Sequence, residues 1–393
     1  MKQTRPAPSP SPRSNLWKLS VLRGLEFAWF PIPTVVLFYQ HHGLSLEQAI
    51  LLKTILSISI FVFEIPSGYF ADVFGRKVSL IWGGMIWVVS LLPYCFLGDF
   101  VWFAIAEALS GLAASLISGA DVALAFDSLS ALDREGEYGR FEGRLGAIAG
   151  LSEAVCGLVG AAVAAANLRY PFYLQTLCIL TYVALAFTLS EPPRHRSAAV
   201  GGWGELRDTL KWTATRKTVR WPIALGAIVS AGTFAIVWLS QAYMGDRGLP
   251  VGGFGVAWAA FHGVLSGSAL LATPISHLLG VKGALWLMLA VLAGSYGLLA
   301  AIHHPWGVIF VATIYFARGL RSPLILTLLN RQVASFRRAT VLSINSFAFR
   351  LCFAAIGPAI GWISDAYSLD LALAMSGIFF WVAGGICLMK IRV

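Results

Sequence analysis

Ionisable side chains buried in long apolar runs are the residues of this chain best suited to chemistry. Five acids are embedded in this way, Glu26, Glu64, Glu107, Asp121 and Glu153, and all fall in the first half. The second half embeds no acid; its ionisable groups there are His262, Arg318, Arg321 and Arg350. A charged side chain at the centre of a bilayer costs about 2.5–3.5 kcal/mol on insertion scales, so such groups usually face an aqueous cavity or a partner. A carboxyl can take up and release a proton, whereas an arginine keeps its charge. The split therefore points to proton-titratable groups on one side of a central cavity and fixed positive charge on the other. Glu26 stands beside Phe27, Trp29 and Phe30, and apolar surroundings favour the protonated carboxyl that a proton carrier needs. Asp121 and Arg321 lie within a turn or two of the inner surface, where snorkelling or latch contacts are enough to explain them. Lys53, near the outer end of its span, reads as snorkelling too, and His262 as a packed histidine.

The elements that must carry these groups follow from composition. Apolar residues make up 58% of the 393 and charged ones 12%, roughly half the charge of a soluble protein. A spanning helix needs about 20 apolar residues. Twelve such runs are present: 17–39, 47–71, 78–98, 101–124, 143–166, 171–190, 221–240, 252–277, 281–302, 305–327, 341–363 and 370–390. Lipid cannot satisfy backbone groups, so runs of this length are helices. The expected fold is an all-α integral membrane protein of twelve transmembrane helices.

The net charge of +10 would suit a nucleic-acid partner, but the positions of the charges exclude that reading. With a cytoplasmic N-terminus, 22 of the 29 Lys and Arg residues fall in the tails or the loops on one side. Arg169 and Arg247 fall on the other side, and Arg23, Lys53, Arg318, Arg321 and Arg350 lie within spans. This is the positive-inside pattern; it places both termini in the cytoplasm of a multi-pass protein in the cell membrane. Residues 1–16, with Pro6, Pro8, Pro10 and Pro12, read as a disordered cytoplasmic tail without signal-peptide features. The five cysteines all lie within spans, as packing residues. The pairs His41–His42 and His303–His304 have no placed carboxylates or cysteines beside them, so no metal site is read.

The polar stretch 191–220 separates six spans from six. The expected domains are a bundle over 17–190, this cytoplasmic linker, and a second bundle over 221–393. In the linker Trp203, Leu206, Leu210 and Thr213 recur at helical spacing beside Arg207, Lys211, Arg216 and Lys217, which suggests an amphipathic helix on the membrane surface. Two echoes link the halves. PSGYFADVFGRKVSL at 66–80 aligns with LATPISHLLGVKGAL at 271–285, setting Gly75 over Gly280. Helix 5 aligns with helix 11, setting Gly160 over Gly357 and Glu153 over Arg350.

Between the second and third runs the chain reads Gly68, Asp72, Gly75, Arg76, Lys77, a tight charged turn in which Gly75 suits positive φ. The pattern G-x-x-x-D-x-x-G-R-K resembles the helix 2–3 signature loop of the major facilitator superfamily of secondary transporters. The six-plus-six repeats also match that superfamily's two six-helix pseudo-repeats, and the resemblance covers nearly all of 17–390. It implies a cytoplasmic latch in which Asp72 meets the start of helix 11 and Arg76 meets Asp127. It also makes helices 1 and 10 cavity-lining, so that Glu26 is the first proton-coupling candidate, with Glu107 and Glu153 behind it. Arg318 and Trp29 become substrate-binding candidates, Arg318 holding an anionic group or Glu26 itself. Helices 2 and 11 would be neighbours, making Glu64–Arg350 an interdomain gate pair. Two departures from the drug-antiporter pattern stand out: Glu107 replaces an arginine before Gly111, and GLVGAAV at 157–163 has no proline.

No Walker loop, nucleophile elbow or H-E-x-x-H helix occurs, so neither ATP-driven transport nor a familiar hydrolase is read, and no cofactor is implied. The expected function is secondary transport of a small organic solute by a monomer, through proton-coupled efflux. Proton-linked uptake is the alternative within that class. A transporter-like membrane sensor or assembly protein is the alternative outside it.

Overall fold

The computed structural model describes residues 12–192, 203–333 and 335–391. Among them every regular element is helical, as a bilayer requires of backbone groups. In chain order the helices are α1 (Pro12–Glu26), α2 (Val35–His41), α3 (Leu46–Phe74), α4 (Arg76–Phe96) and α5 (Phe100–Ser118). They continue with α6 (Ala120–Ser130), α7 (Tyr138–Ala164), α8 (Tyr170–Phe187), α9 (Trp203–Thr215) and α10 (Lys217–Asp246). The last are α11 (Val251–Ala301), α12 (Ile309–Gln332), α13 (Ser335–Ala366) and α14 (Leu369–Lys390).

Ten of these segments are long and apolar enough to cross a membrane, with α5 and α6 acting as one. Two adjustments bring the ten to twelve. The 51 residues of α11 turn at Gly280, where φ is 69°. At 1.5 Å per residue they measure about 76 Å, more than twice a hydrocarbon core, so α11 is two crossings. The first span is not among the ten because it is broken into α1 and α2.

That break corrects the expected continuous run 17–39. Pro31 and Pro33 lack the N–H a helix interior needs, and each disfavours helical geometry in the residue before it. The chain therefore leaves the helix after Glu26 and resumes through a 3-10 turn at Ile32–Thr34. The helix also starts earlier than expected, at Pro12, a favourable first-turn position for proline; residues 1–11 of the expected tail lie outside the described residues. The fourth span is longer than 101–124, ending at Ser130 after a joint at Gly119.

The described residues pack into two compact units. Among the described residues, one draws on 12–32 and 55–192, the other on 33–54, 203–333 and 335–391. The first unit has a core that includes Leu19, Leu22, Leu80, Ile117, Leu124 and Tyr182. In the second unit the 33–54 hairpin is held by side chains of α10 and α13. Gln241 accepts the Val36 N–H at 2.8 Å, and Asp365 accepts the N–H groups of Leu46 and Glu47 at 3.1 and 2.7 Å. At α3 these bonds add to a local capping box in which Ser45 Oγ accepts the Gln48 N–H and Gln48 Oε1 accepts the Ser45 N–H.

Lys53 belongs to this second unit and does not snorkel. It is 4% exposed. Its ammonium donates to the Tyr39 hydroxyl at 3.1 Å and sits 5.2 and 5.0 Å from the ring centres of Tyr39 and Trp238. The Tyr39 hydroxyl oxygen and the Trp238 ring supply the negative potential that a solvated surface would otherwise provide. In the linker, α9 forms where the helical spacing is read. Its Thr209 and Thr213 are buried, and Trp212 lies 5.2 Å from the guanidinium carbons of both Arg216 and Arg337. Residues 193–202 and the side chains of Trp203, Leu206 and Leu210 lie outside the described residues.

Candidate functional site

The broken first helix positions a buried group of charges in the first unit. Past Glu26 the backbone of Phe27–Phe30 is irregular; its N–H groups bond to nearby carbonyls, and neighbouring helices hold the break from outside. Ser152 of α7 donates to the Gly24 carbonyl at 2.6 Å, and Gln175 of α8 accepts the Phe30 N–H at 3.3 Å. Gly160 of α7 is required at this point, because a Cβ there would collide with the Phe30 carbonyl. Phe27 and Trp29 stack with ring centres 5.1 Å apart.

With the end of α1 held in this way, Arg23 and Glu26, one turn apart, share a face. Arg23 Nη2 lies 2.8 Å from Asp121 Oδ2 and 3.7 Å from Glu142 Oε1, and Arg23 Nη1 lies 3.9 Å from Glu26 Oε2. The Arg23, Glu26 and Asp121 side chains are only 10–14% exposed, whereas Glu142 is 40% exposed. Together with Leu19, Leu22, Leu80, Leu145 and Tyr182, the three buried groups line a cavity of about 10 Å³, close to the least that admits one water. Three carboxyls thus face one guanidinium beside a site for a single water.

Asp121, read as snorkelling, is instead buried and paired with Arg23. Because α6 runs to Ser130, Asp121 sits nine residues, about 13 Å, before that end. Arg321 is likewise not simply snorkelling: its Nη1 donates to Ser230 Oγ at 2.6 Å. The sequence does not identify Arg23 and Glu142 as partners. The Arg23/Glu26 spacing is a usable signal, while Glu142 lies just outside a run boundary.

The α3–α4 turn is a second charged centre. Gly75 adopts φ 116°. Arg76 forms an ion pair with Asp127 and donates to the Ala123 carbonyl at 3.0 Å. Glu191, at the head of the linker and without any signal in the sequence pattern, accepts the N–H groups of Arg76 and Lys77 at 3.0 and 2.9 Å. A carboxylate at a helix N-terminus is favourably placed against the dipole. Gly68 and Asp72 are exposed on the last turns of α3.

A profile described as Major Facilitator Superfamily matches residues 24–358. The chain belongs to that superfamily. A curated superfamily relative, described as an uncharacterized MFS-type transporter YxaM of Bacillus subtilis (strain 168), is 22% identical over 386 residues, covering 94% of this chain and 93% of that protein. Among solved structures, a mutant of the nucleoside transporter NupG superposes with a TM-score of 0.81 at 11% identity, over 96% of this chain and 100% of that one. A bacterial homologue of the human lysosomal transporter Spinster, inward-facing and unoccupied, gives 0.76 at 14% identity over 98% of each. A peptide transporter POT mutant with sulfate gives 0.74 at 15%, over 96% of this chain and 94% of that one. At these identities the structural likeness establishes the fold.

The remaining superfamily candidates divide between the units. Glu107 is 3% exposed and accepts the Tyr94 hydroxyl at 2.6 Å. Tyr94 is itself stacked on Phe103 and Phe172, which gives Glu107 a fixed partner. Glu153 is half-buried on α7, next to Ser152, and Glu64 is exposed on α3. In the second unit Arg318 lies 5.4 Å from the Tyr315 ring centre, and Tyr315 in turn meets His262 at 5.6 Å and Phe261 at 5.1 Å. Arg350 lies 6.0 Å from the Phe349 ring centre.

Proposed function

We propose that this superfamily transporter moves a small organic solute across the cell membrane by rocker-switch alternating access, exporting it in exchange for protons. The Arg23–Glu26–Asp121 cluster carries this reading. Glu26 and Asp121 approach one guanidinium at its two terminal nitrogens, Nη1 and Nη2, with Glu142 as a more exposed third acid. One fixed positive charge cannot neutralise three carboxylates, and a bound proton is the simplest neutraliser available in a low-dielectric site. The cavity of about 10 Å³ beside these acids is close to the least that holds one water, which would serve as the first partner for that proton. Glu26 is the coupling residue in this scheme, Asp121 its relay, and Arg23 the cation both compete for. Glu107, bonded to Tyr94, and Glu153 stand behind it.

Solute is assigned to Arg318 and Trp29, the first for an anionic group and the second for an apolar ring. Asp72, Arg76 and Asp127 form the cytoplasmic latch, and Glu64 with Arg350 forms the pair made and broken between the halves. The termini and the 191–220 linker face the cytoplasm, and the protein acts as a monomer. The test is solute uptake by inside-out vesicles carrying an imposed pH gradient, over a panel of amphipathic and anionic compounds. Solute-dependent collapse of the gradient supports exchange. A gradient untouched by every compound removes proton coupling, and co-movement of solute with protons replaces export by uptake.

A further inference from the structure

A second cavity in the first unit lies apart from the Arg23 cluster and has no part in the scheme above. It measures about 270 Å³ and is walled by the first turns of α1, the end of α6, the following loop and the start of α7. Its charged lining is Arg13, Arg134, Arg140, Arg144 and Glu137, a net charge of 4 − 1 = +3. Arg134 holds Glu137 in a bidentate pair, Nε to Oε1 and Nη2 to Oε2, both at 2.7 Å. The single acid is therefore already matched. Arg13, Arg140 and Arg144 are exposed side chains lining the same hollow, the last two one turn apart on α7. The neighbouring Glu135 accepts the Ser130 hydroxyl and does not line the hollow.

Leu16, Leu129 and Phe141 supply the apolar part of the lining, and Trp17, also at the wall, is 56% exposed. Three exposed guanidinium groups lining one hollow concentrate positive charge there, which an anion with several acceptor oxygens can bridge. Phosphate fits that requirement, since each guanidinium can engage two of its oxygens. The apolar lining and exposed indole add what a free ion would not use, and indole rings favour the headgroup level of a bilayer. We propose that this cavity binds the phosphate of an anionic phospholipid headgroup, with Arg13, Arg140 and Arg144 as its ligands. Basic pockets at the ends of spanning helices are suited to such headgroups.

The test is lipid binding to the purified full chain in detergent, followed by native mass spectrometry. Phosphatidylglycerol and phosphatidylcholine with identical acyl chains are titrated separately. The wild type should retain one phosphatidylglycerol about tenfold more tightly than phosphatidylcholine, and Arg13→Ala/Arg140→Ala/Arg144→Ala should erase that preference. The single variant Arg144→Glu, at an exposed position, gives the same reading should the triple variant fold poorly. Equal retention of the two lipids, or an unchanged preference in the folded variants, overturns the site. Displacement of phosphatidylglycerol by equimolar inorganic phosphate would make it a free-phosphate site and overturn the lipid assignment.

Discussion

Arg23 Nη2 and Asp121 Oδ2 lie 2.8 Å apart, joining two residues almost a hundred positions distant in sequence and only 13% and 10% exposed. The pair ties α1, just before its break, to α6. Removing one member of a buried ion pair strands the other, at a cost of about 3–5 kcal/mol. Arg23→Ala should therefore lower the denaturation midpoint in detergent and abolish transport. The exchanged pair Arg23→Asp/Asp121→Arg should recover much of the midpoint. A single variant as stable as wild type would show that the pair contributes nothing.

Glu26 distinguishes coupling from binding. In Glu26→Gln the side chain is permanently neutral, so solute should still exchange between equal pools while a pH gradient no longer drives accumulation. Glu26→Asp keeps a carboxyl one methylene shorter and should retain part of the activity with a displaced pH profile. Counterflow and gradient-driven uptake, measured on the same vesicles, separate the two effects. Accumulation by Glu26→Gln at the wild-type rate would move attention to Glu107 and Glu153.

The α3–α4 turn should matter to the transport cycle more than to folding. Arg76 pairs with Asp127 at partly exposed positions, so Arg76→Ala and Asp72→Asn should leave expression and melting behaviour close to wild type. A change of about 1.4 kcal/mol between the two end states shifts their ratio tenfold, enough to slow turnover severely. Normal rates in both variants would remove the latch from the scheme.

Membrane sidedness is directly measurable. Single cysteines placed in a cysteine-free background at positions 195 and 210 should resist labelling from outside the cell, whereas those at 42 and 247 should react. External labelling at 210 would reverse the orientation.

Lys53 provides a test of packing in the second unit. Its ammonium donates to the Tyr39 hydroxyl and lies 5.0 Å from the Trp238 ring centre, a cation–π contact worth about 2 kcal/mol when desolvated. Lys53→Ala should lower stability by that order, and Lys53→Arg should preserve most of it because the cation–π contacts persist. Trp238 fluorescence, compared against Trp238→Phe, reports whether the pocket has opened. An unaltered midpoint in Lys53→Ala would mean the ammonium is not held by the rings.

Length and polarity alone determined the helical membrane fold, because a bilayer admits a short list of structures and twelve apolar runs satisfy one of them. The repeat was legible too: Gly75 and Gly280, aligned by sequence, both take positive φ, 116° and 69°, at the turn between two helices. The break in helix 1 was written in Phe30–Pro31–Ile32–Pro33, and overall apolarity concealed it. Tertiary structure alone decided the partners. Arg23 meets Asp121 and Glu142 from other helices, Glu191 caps α4 across more than a hundred residues, and Asp365 caps α3 across more than three hundred. The 33–54 hairpin joins the unit of the second half although it is encoded in the first. Periodicity records how polar a position's surroundings are, and hydropathy records whether a run can enter lipid. Neither carries the direction in which a side chain points once helices pack, and that direction selects which charges meet.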